Sequence, residues 1–447
     1  MAIPTSSWMR NRFVRSCLLA LSIIAFAIVL ASGGALCAEN GELQSPVPPG
    51  TEITPQNWQN YQQYMTAGMA ALFSGKYFWK FPPDFKMVIA PTTNYSFPKL
   101  FLQHTEQYSK QVNIVNLPDG RRTIKGYVAG LPFPNPTDPL KGWKLLVDDW
   151  YTYAPRVICA PQSFIYNQDR FYNRYFLHQV WVIRKFSHIS DPGAPIFDPR
   201  GPGTELFEYT QILAPEQIRY LTVLTVYYDD ISKPQDTFLF IPALRRSLRL
   251  STAARCSPFN GSDYIYDDTR HGNFNGNLTL FDADYLGERM MLEQAPRVSN
   301  DAQVLNNLNN YYQPLLVLKP QFGAWEIRKT WVINVHPIPS YAKGYCISKR
   351  ILFIDQQAYS ASLVDRYDVN GKLWKPGWGG EAIFNVPGIG RVWTNGGYAV
   401  IYDLQAQHMG WVSLAFAGNQ DCRNVDGVDY TNIEHFSSLS ALASIMR

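Results

Sequence analysis

The sequence predicts a mainly β chain of the α+β type, built on an antiparallel sheet that curls to protect its edges. Three observations predict it. Runs rich in β-branched and aromatic residues recur from about residue 179 onward, as in Gln179-Val-Trp-Val-Ile-Arg-Lys-Phe186. Turn chemistry separates them, at Pro118-Asp119-Gly120, Asn260-Gly261, Asn370-Gly371 and Asn395-Gly396-Gly397. Few long helical patterns intervene, and a many-stranded sheet left flat would expose its edges.

Taken in order, residues 1–38 read as a cleaved secretory signal. A basic stretch ends at Arg15, an apolar run follows from Cys17 to Ala31, and small residues come next. The alternative is an uncleaved anchor, but the apolar run is short for a span of ~20 residues. Leu36 before Cys37 is too bulky for a lipoprotein cleavage box. Residues 39–84 form a Pro-rich leader and an amphipathic helix. Thr54-Pro55 opens that helix, Trp58, Tyr61, Met65, Met69 and Leu72 form its apolar stripe, and Gly75 closes it. Residues 85–447 are expected to form a single β domain. A helix over Lys99–Lys110 comes first. Strands follow at Tyr220–Tyr228, Thr237–Ile241, Leu315–Leu318, Trp325–Val335, Tyr345–Asp355, Ser362–Val369 and Tyr398–Asp403. Asp368-Val-Asn-Gly371-Lys-Leu-Trp374 reads as a tight hairpin.

Composition excludes whole classes. With 12 Trp, 27 Tyr and 25 Phe in 447 residues, the chain carries too much apolar surface to be disordered. The net charge of +4 is concentrated in the signal; beyond it 37 bases face 36 acids. Such a body has no basic stripe for nucleic acid. The cysteines expected to remain after export, Cys159, Cys256, Cys346 and Cys422, are widely spaced with no C-x-x-C. Export favours disulfides among them. Three pairings are open, against the alternative of four buried thiols.

The usual catalytic and phosphate-binding signatures are absent, and no two histidines lie at i, i+4 spacing. No metal and no cofactor is therefore expected, and the chain is read as a non-enzyme. Asp263, Asp267 and Asp268 form the densest acidic group. They suit Ca²⁺ by chemistry but lack the Gly and terminal Glu of an EF-hand loop, and read as turn and loop carboxylates that pair with Arg255, Arg270 or the backbone. What remains is aromatic abundance. Trp181, Phe238, Phe240, Trp325, Trp331 and Phe353 are the candidates to line an apolar cavity. Strand alternation puts Trp325 and Trp331 inward and makes Glu326, Arg328 and Thr330 the wet face.

One stretch carries a resemblance. Phe238-Leu-Phe-Ile-Pro242-Ala-Leu-Arg245-Arg246-Ser-Leu-Arg249 is followed by Phe259-Asn-Gly261-Ser262-Asp263-Tyr-Ile-Tyr-Asp267-Asp268. Val128-Ala-Gly-Leu-Pro-Phe-Pro134 and Tyr367-Asp368-x-x-Gly371-Lys-Leu-Trp-Lys375 add to it. Together these resemble the LolA-like outer-membrane lipoprotein-sorting relatives, and among them the uncharacterised family called domain of unknown function 1329. The chain departs from that pattern at Cys256. The resemblance implies an unclosed antiparallel β-barrel of LolA/LolB type wrapped around a few helices, with an apolar cavity. It implies a periplasmic setting, alone or at the outer membrane, beside an RND-type exporter or an outer-membrane protein.

The expected function is a periplasmic carrier for a hydrophobic small molecule or lipid. The alternatives are a structural adaptor with a filled core, or a hydrolase of envelope lipids. Pro242, Arg245, Arg246, Arg249, Gly261, Asp263, Asp267 and Asp268 are expected to have a structural role, the arginines meeting the aspartates at the rim of the sheet.

Overall fold

The computed structural model describes residues 45–251, 255–268, 270, 273–294, 301–380, 382–386, 388–394, 397–415, 423–425, 427 and 431–445. The expected signal and Cys422 lie outside them. Thirteen strands form the main sheet, all antiparallel. The first six are β1 (Val157–Gln168), β2 (Arg174–Lys185), β3 (Thr204–Ala214), β4 (Thr222–Tyr228), β5 (Asp236–Ile241) and β6 (Arg246–Arg249). The others are β7 (Phe281–Glu293), β8 (Glu326–Pro337), β9 (Lys349–Asp355), β10 (Ala361–Tyr367), β11 (Gly377–Gly379), β12 (Gly397–Asp403) and β13 (His408–Leu414). The spatial order is β6-β5-β4-β3-β2-β1-β13-β12-β11-β10-β9-β8-β7. Two meanders thus meet at one seam, β1 against β13, where Gln168 faces Met409. The sheet does not close. Its two edges, β6 and β7, are consecutive in the chain, and residues 250–280 run between them.

Both faces of the sheet are covered, so its central strands are buried on both sides, polar residues included. One face carries helices α2 (Lys99–Tyr108) and α3 (Lys141–Tyr151) and the segment 259–281. Helix α3 is buried nearly all round, from Gly142 to Tyr151. Its two acids are tethers: Asp148 accepts from the Phe133 amide (2.8 Å) and Asp149 from the Ala361 amide (3.0 Å). The opposite face is covered by residues 47–89 and 305–325 over β9 to β13, and by the C-terminal helix α4 (Leu439–Ser444) over β2 to β4.

The expected long helix at the front is two pieces. A 3-10 helix covers Trp58–Tyr64, and helix α1 covers Ala67–Phe73. The break falls where Met65 is extended and Thr66 caps α1, its hydroxyl accepting from the Met69 amide at 3.1 Å. The Gly68 amide donates to Asp365 on β10 at 3.1 Å.

Burial pushes the Asp365 carboxyl up from its ordinary 3.8 to about 6, against the opposing Gly68 amide. A carboxyl raised on folding holds its proton more tightly in the folded state. Its contribution is therefore fully present below about pH 4 and is lost as the pH rises through 6. Asp365→Asn keeps an acceptor for Gly68 and never ionises. It should exceed the wild type in stability at neutral pH, by up to about 3 kcal/mol, with the gap closing toward pH 4. Urea unfolding at both pH values checks this, and a gap that does not change with pH would refute it.

Cys256 and Cys346 form a disulfide with Cα atoms 5.9 Å apart. Cys159 is also disulfide-bonded, to a partner outside the described residues. No helix among the described residues is long and apolar enough to cross a membrane.

Candidate functional site

The arginines and aspartates of the motif do not meet. Arg246 and Arg249 lie exposed on the edge strand β6, just after Arg245 in a left-handed turn, and Arg249 pairs with Asp236. Charges there discourage another strand from adding to the edge. Pro242 opens the turn that ends β5, as its missing N–H requires. The aspartates follow the Gly261 turn and reach inward across the helix face. Asp267 accepts from Arg255 and from the Tyr345 hydroxyl (2.6 Å). Asp268 accepts from Arg366 (2.7 Å) and Arg350 (3.3 Å). Asp263 lies 3.7 Å from Lys375. Asp268, between the two sheet edges, is thus tied to β9 and β10 by buried ion pairs. Among the described residues no group of His, Cys, Asp and Glu is arranged to hold a metal ion.

The supposed wet face of β8 is buried as well: Glu326, Arg328 and Thr330 are 0% exposed. Alternation misread it because polar groups can be buried when they are paired. Arg328 donates to Asp355 (2.5 Å), Glu326 (3.1 Å) and the Thr93 carbonyl (2.8 Å).

The six aromatic candidates fall into three separate clusters. Trp181 and Trp331 pack under α3, Trp325 and Phe353 pack on the opposite face, and Phe238 and Phe240 lie beneath α4. All but Phe238 are buried against neighbouring side chains.

A different set converges on the helix face. Tyr127 and Val128 come from the loop after residues 122–125, Trp150 and Tyr151 from the end of α3, and Lys185 from the end of β2. His188 follows β2, Glu205 opens β3, and Arg270 comes from the segment between the two sheet edges. The Tyr127 and Tyr151 rings lie 4.3 Å apart, and the His188 ring lies 4.4 Å from Tyr127 and 5.5 Å from Tyr151. His188 Nδ1 donates to the Val128 carbonyl at 2.7 Å, which leaves the Nε2 lone pair free. Its backbone is strained, with φ of +57°. Glu205 accepts from the Trp150 indole (3.2 Å) and from Arg270 (3.0 Å), whose guanidinium sits 3.8 Å over the Trp150 ring.

Burial pushes both the His188 and the Lys185 pKa down, with Glu205 opposing in each case. Tyr151 Oη, His188 Nε2 and Arg270 Nη1 have no hydrogen-bond partner among the described residues, although all three residues are buried. A small crevice that shares Trp150 and Glu205 with this cluster is otherwise lined by Tyr227, Tyr228, Ile231, Lys233, Gln235, Asn277 and Leu278, with free volume of about 20 Å³, room for one water-sized group.

The cluster brings aromatic rings together with the Arg270–Glu205 ion pair, Lys185 and the His188 imidazole. Sequence reasoning missed it because five distant segments build it. One signal was present: Glu205 and Glu208 sit within an otherwise apolar strand. Glu208 takes the Trp181 indole at 2.9 Å, so Trp181 alone of the six candidates adjoins the site. The Val128–Pro134 stretch, noted for its resemblance, is the strap that holds His188.

Comparison with known proteins agrees with the sequence resemblance. An uncharacterized protein of Pseudomonas aeruginosa is 21% identical over 373 residues, covering 79% of this chain and 74% of its own. Among solved structures, a DUF1329 family protein from Desulfovibrio piger aligns over 62% of this chain and 91% of its own, at 14% identity and a TM-score of 0.42. A domain named for outer-membrane lipoprotein sorting from Vibrio parahaemolyticus covers 61% and 89%, at 14% identity and 0.42. A LolA superfamily protein from Nitrosomonas europaea covers 61% and 90%, at 12% identity and 0.34. The family model described as protein of unknown function (DUF1329) matches residues 52–432, and the chain belongs to that family.

Proposed function

We propose that this chain is an exported, non-catalytic binding protein for an amphiphile, a lipid or another hydrophobic molecule with an anionic end. The observation that supports it is the grouping of Tyr151 Oη, at the end of α3, with His188 Nε2 and Arg270 Nη1 near Lys185, all three buried and without a hydrogen-bond partner among the described residues. Here an anionic head would take the tyrosine and arginine donors, and its chain would lie along Trp150 and the tyrosines. Each buried CH₂ contributes ~0.8 kcal/mol. The crevice has to widen to admit it, by movement of α3 or of the Val128–Pro134 strap. Hand-over to an RND-type exporter or an outer-membrane protein is the corresponding proposal for its partner.

The test is titration of the delipidated protein with a fluorescent fatty acid, together with mass spectrometry of lipids extracted from protein purified from the envelope. Arg270→Gln should weaken the probe about tenfold or more, the range of one lost charge-assisted hydrogen bond. Wild-type protein that takes up no probe and carries no lipid would overturn the reading.

A second reading, a structural adaptor, draws on the dense packing of the six aromatic candidates. The hydrolase alternative has one contact in its favour, His104 Nδ1 at 2.9 Å from Ser190 Oγ. Among the described residues no carboxylate hydrogen-bonds the other ring nitrogen of His104, so that pair falls short of a triad.

A further inference from the structure

The hairpin that joins β1 to β2 ends in an aromatic tip. Phe171 is 69% exposed, Tyr172 52%, Tyr175 40% and Phe176 43%. A soluble surface normally scatters its large apolar side chains singly, and a contiguous patch marks an interaction site. The tip is built rather than frayed. Asp169 accepts from the Phe171 and Asn173 amides (2.8 and 2.9 Å) and from the Asn173 side chain (2.7 Å), and its own amide donates to the Asn173 carbonyl (3.1 Å). Tyr172 is held at φ +64° to make the turn. The patch extends to a second segment, because the Trp79 ring lies 6.2 Å from Tyr172 and its neighbour Phe78 is 46% exposed.

Charge surrounds these rings. Arg170 lies over the Phe171 ring at 4.7 Å, and Arg174, Lys76 and Lys80 are exposed beside the same two segments. The acid among them, Asp169, spends its oxygens on the turn, and its hydrogen bonds hold its carboxyl below the ordinary range. Aromatic rings with a polar handle, flanked by arginine and lysine, match the interface of a bilayer that carries anionic headgroups. The rings sit at headgroup depth and the cations meet phosphate.

We propose that this hairpin, with Phe78, docks the protein onto the surface of an anionic phospholipid membrane. It does so without spanning the membrane, as an amphipathic anchor does. The inference stands on the hairpin alone and does not depend on the amphiphile site at the end of α3.

Flotation of the full exported chain with phosphatidylethanolamine vesicles containing roughly a third phosphatidylglycerol tests it. Wild-type protein should float with these vesicles, should bind pure phosphatidylcholine far less, and should be released by high salt. Phe171→Ser with Tyr172→Ser should reduce partitioning about tenfold or more, since two ring insertions are lost. Arg170→Gln with Arg174→Gln should remove the preference for phosphatidylglycerol and the salt dependence. Both variants change exposed side chains, and unaltered melting and circular dichroism confirm their fold. Failure of wild-type protein to float, or equal flotation of wild type and variants, overturns the proposal. So does a concentration-dependent dimer in sedimentation that Phe171→Ser abolishes, because the tip would then be an interface between two copies.

Discussion

Asp268→Ala should cost about 3–5 kcal/mol of folding stability, the largest loss expected from a single side chain here. Asp268 is the shared counter-ion of Arg350 and Arg366, and both guanidiniums are 1% exposed. Burial raises its carboxyl, but Arg366 and Arg350 outweigh burial and hold it below the ordinary range. Its second oxygen accepts from the Ile265 amide at 3.1 Å. Removal leaves two buried guanidiniums without their shared carboxylate and one amide without its acceptor; Arg350 keeps the Tyr345 hydroxyl (2.8 Å) and Arg366 the Lys375 carbonyl (3.3 Å), neither of which carries a compensating charge. Equilibrium denaturation measures it. Arg249→Ala serves as the contrast: it removes an exposed ion pair with Asp236 and should stay within ~1 kcal/mol. If the two variants lose similar amounts, the tie from Asp268 to β9 and β10 is not holding the fold.

Gly130→Ala comes second, at about 3 kcal/mol or more. Gly130 has φ of +81°, and a Cβ there would lie 2.3 Å from the Thr105 amide nitrogen and 2.6 Å from its Cα. Backbone on α2 cannot rotate aside as a side chain can, so helix and strap must separate. The Leu131 amide would then lose the Thr105 hydroxyl, now at 2.9 Å, and the Val128 carbonyl would leave His188. Gly120→Ala isolates the steric part. Its φ is +83°, but a Cβ there meets nothing within 4 Å, so it should carry only the conformational cost of about 1–2 kcal/mol. Thermal melts of the two variants give the difference. Equal losses would mean that the strap does not press on α2.

The sheet was legible because its strands are announced twice, by β-branched runs and by the turns between them. The Asp368–Trp374 hairpin is an instance: Gly371 takes φ of +75° and the Asp368 amide reaches the Lys372 carbonyl at 3.0 Å. Helix α3 was not legible. Its Trp143, Leu146, Val147 and Trp150 fall at helical spacing, but it is only three turns long, and its adjacent acids Asp148 and Asp149, which the fold buries, look like surface. The motif aspartates could be paired only in part. Asp267 meets Arg255, close by in sequence, but Asp268 is held by Arg350 and Arg366, which arrive roughly eighty to a hundred residues later on other strands. Alternation on β8 failed for a related reason: in a sheet covered on both faces, polarity marks a buried ion pair as readily as a wet surface.

The seam between β1 and β13 sets the order in which the chain can assemble. Contact between Gln168 and Met409 closes a loop of roughly 240 residues, an entropic cost on the order of 5 kcal/mol that neighbouring contacts must offset first. The β1–β6 meander can zip locally as soon as it leaves the ribosome, but its first strand then waits with a bare row of amides until the last strand arrives. Until β13 docks, the half-made sheet is an open template for another copy, so the yield of native protein should depend on how quickly its final hundred residues follow the first.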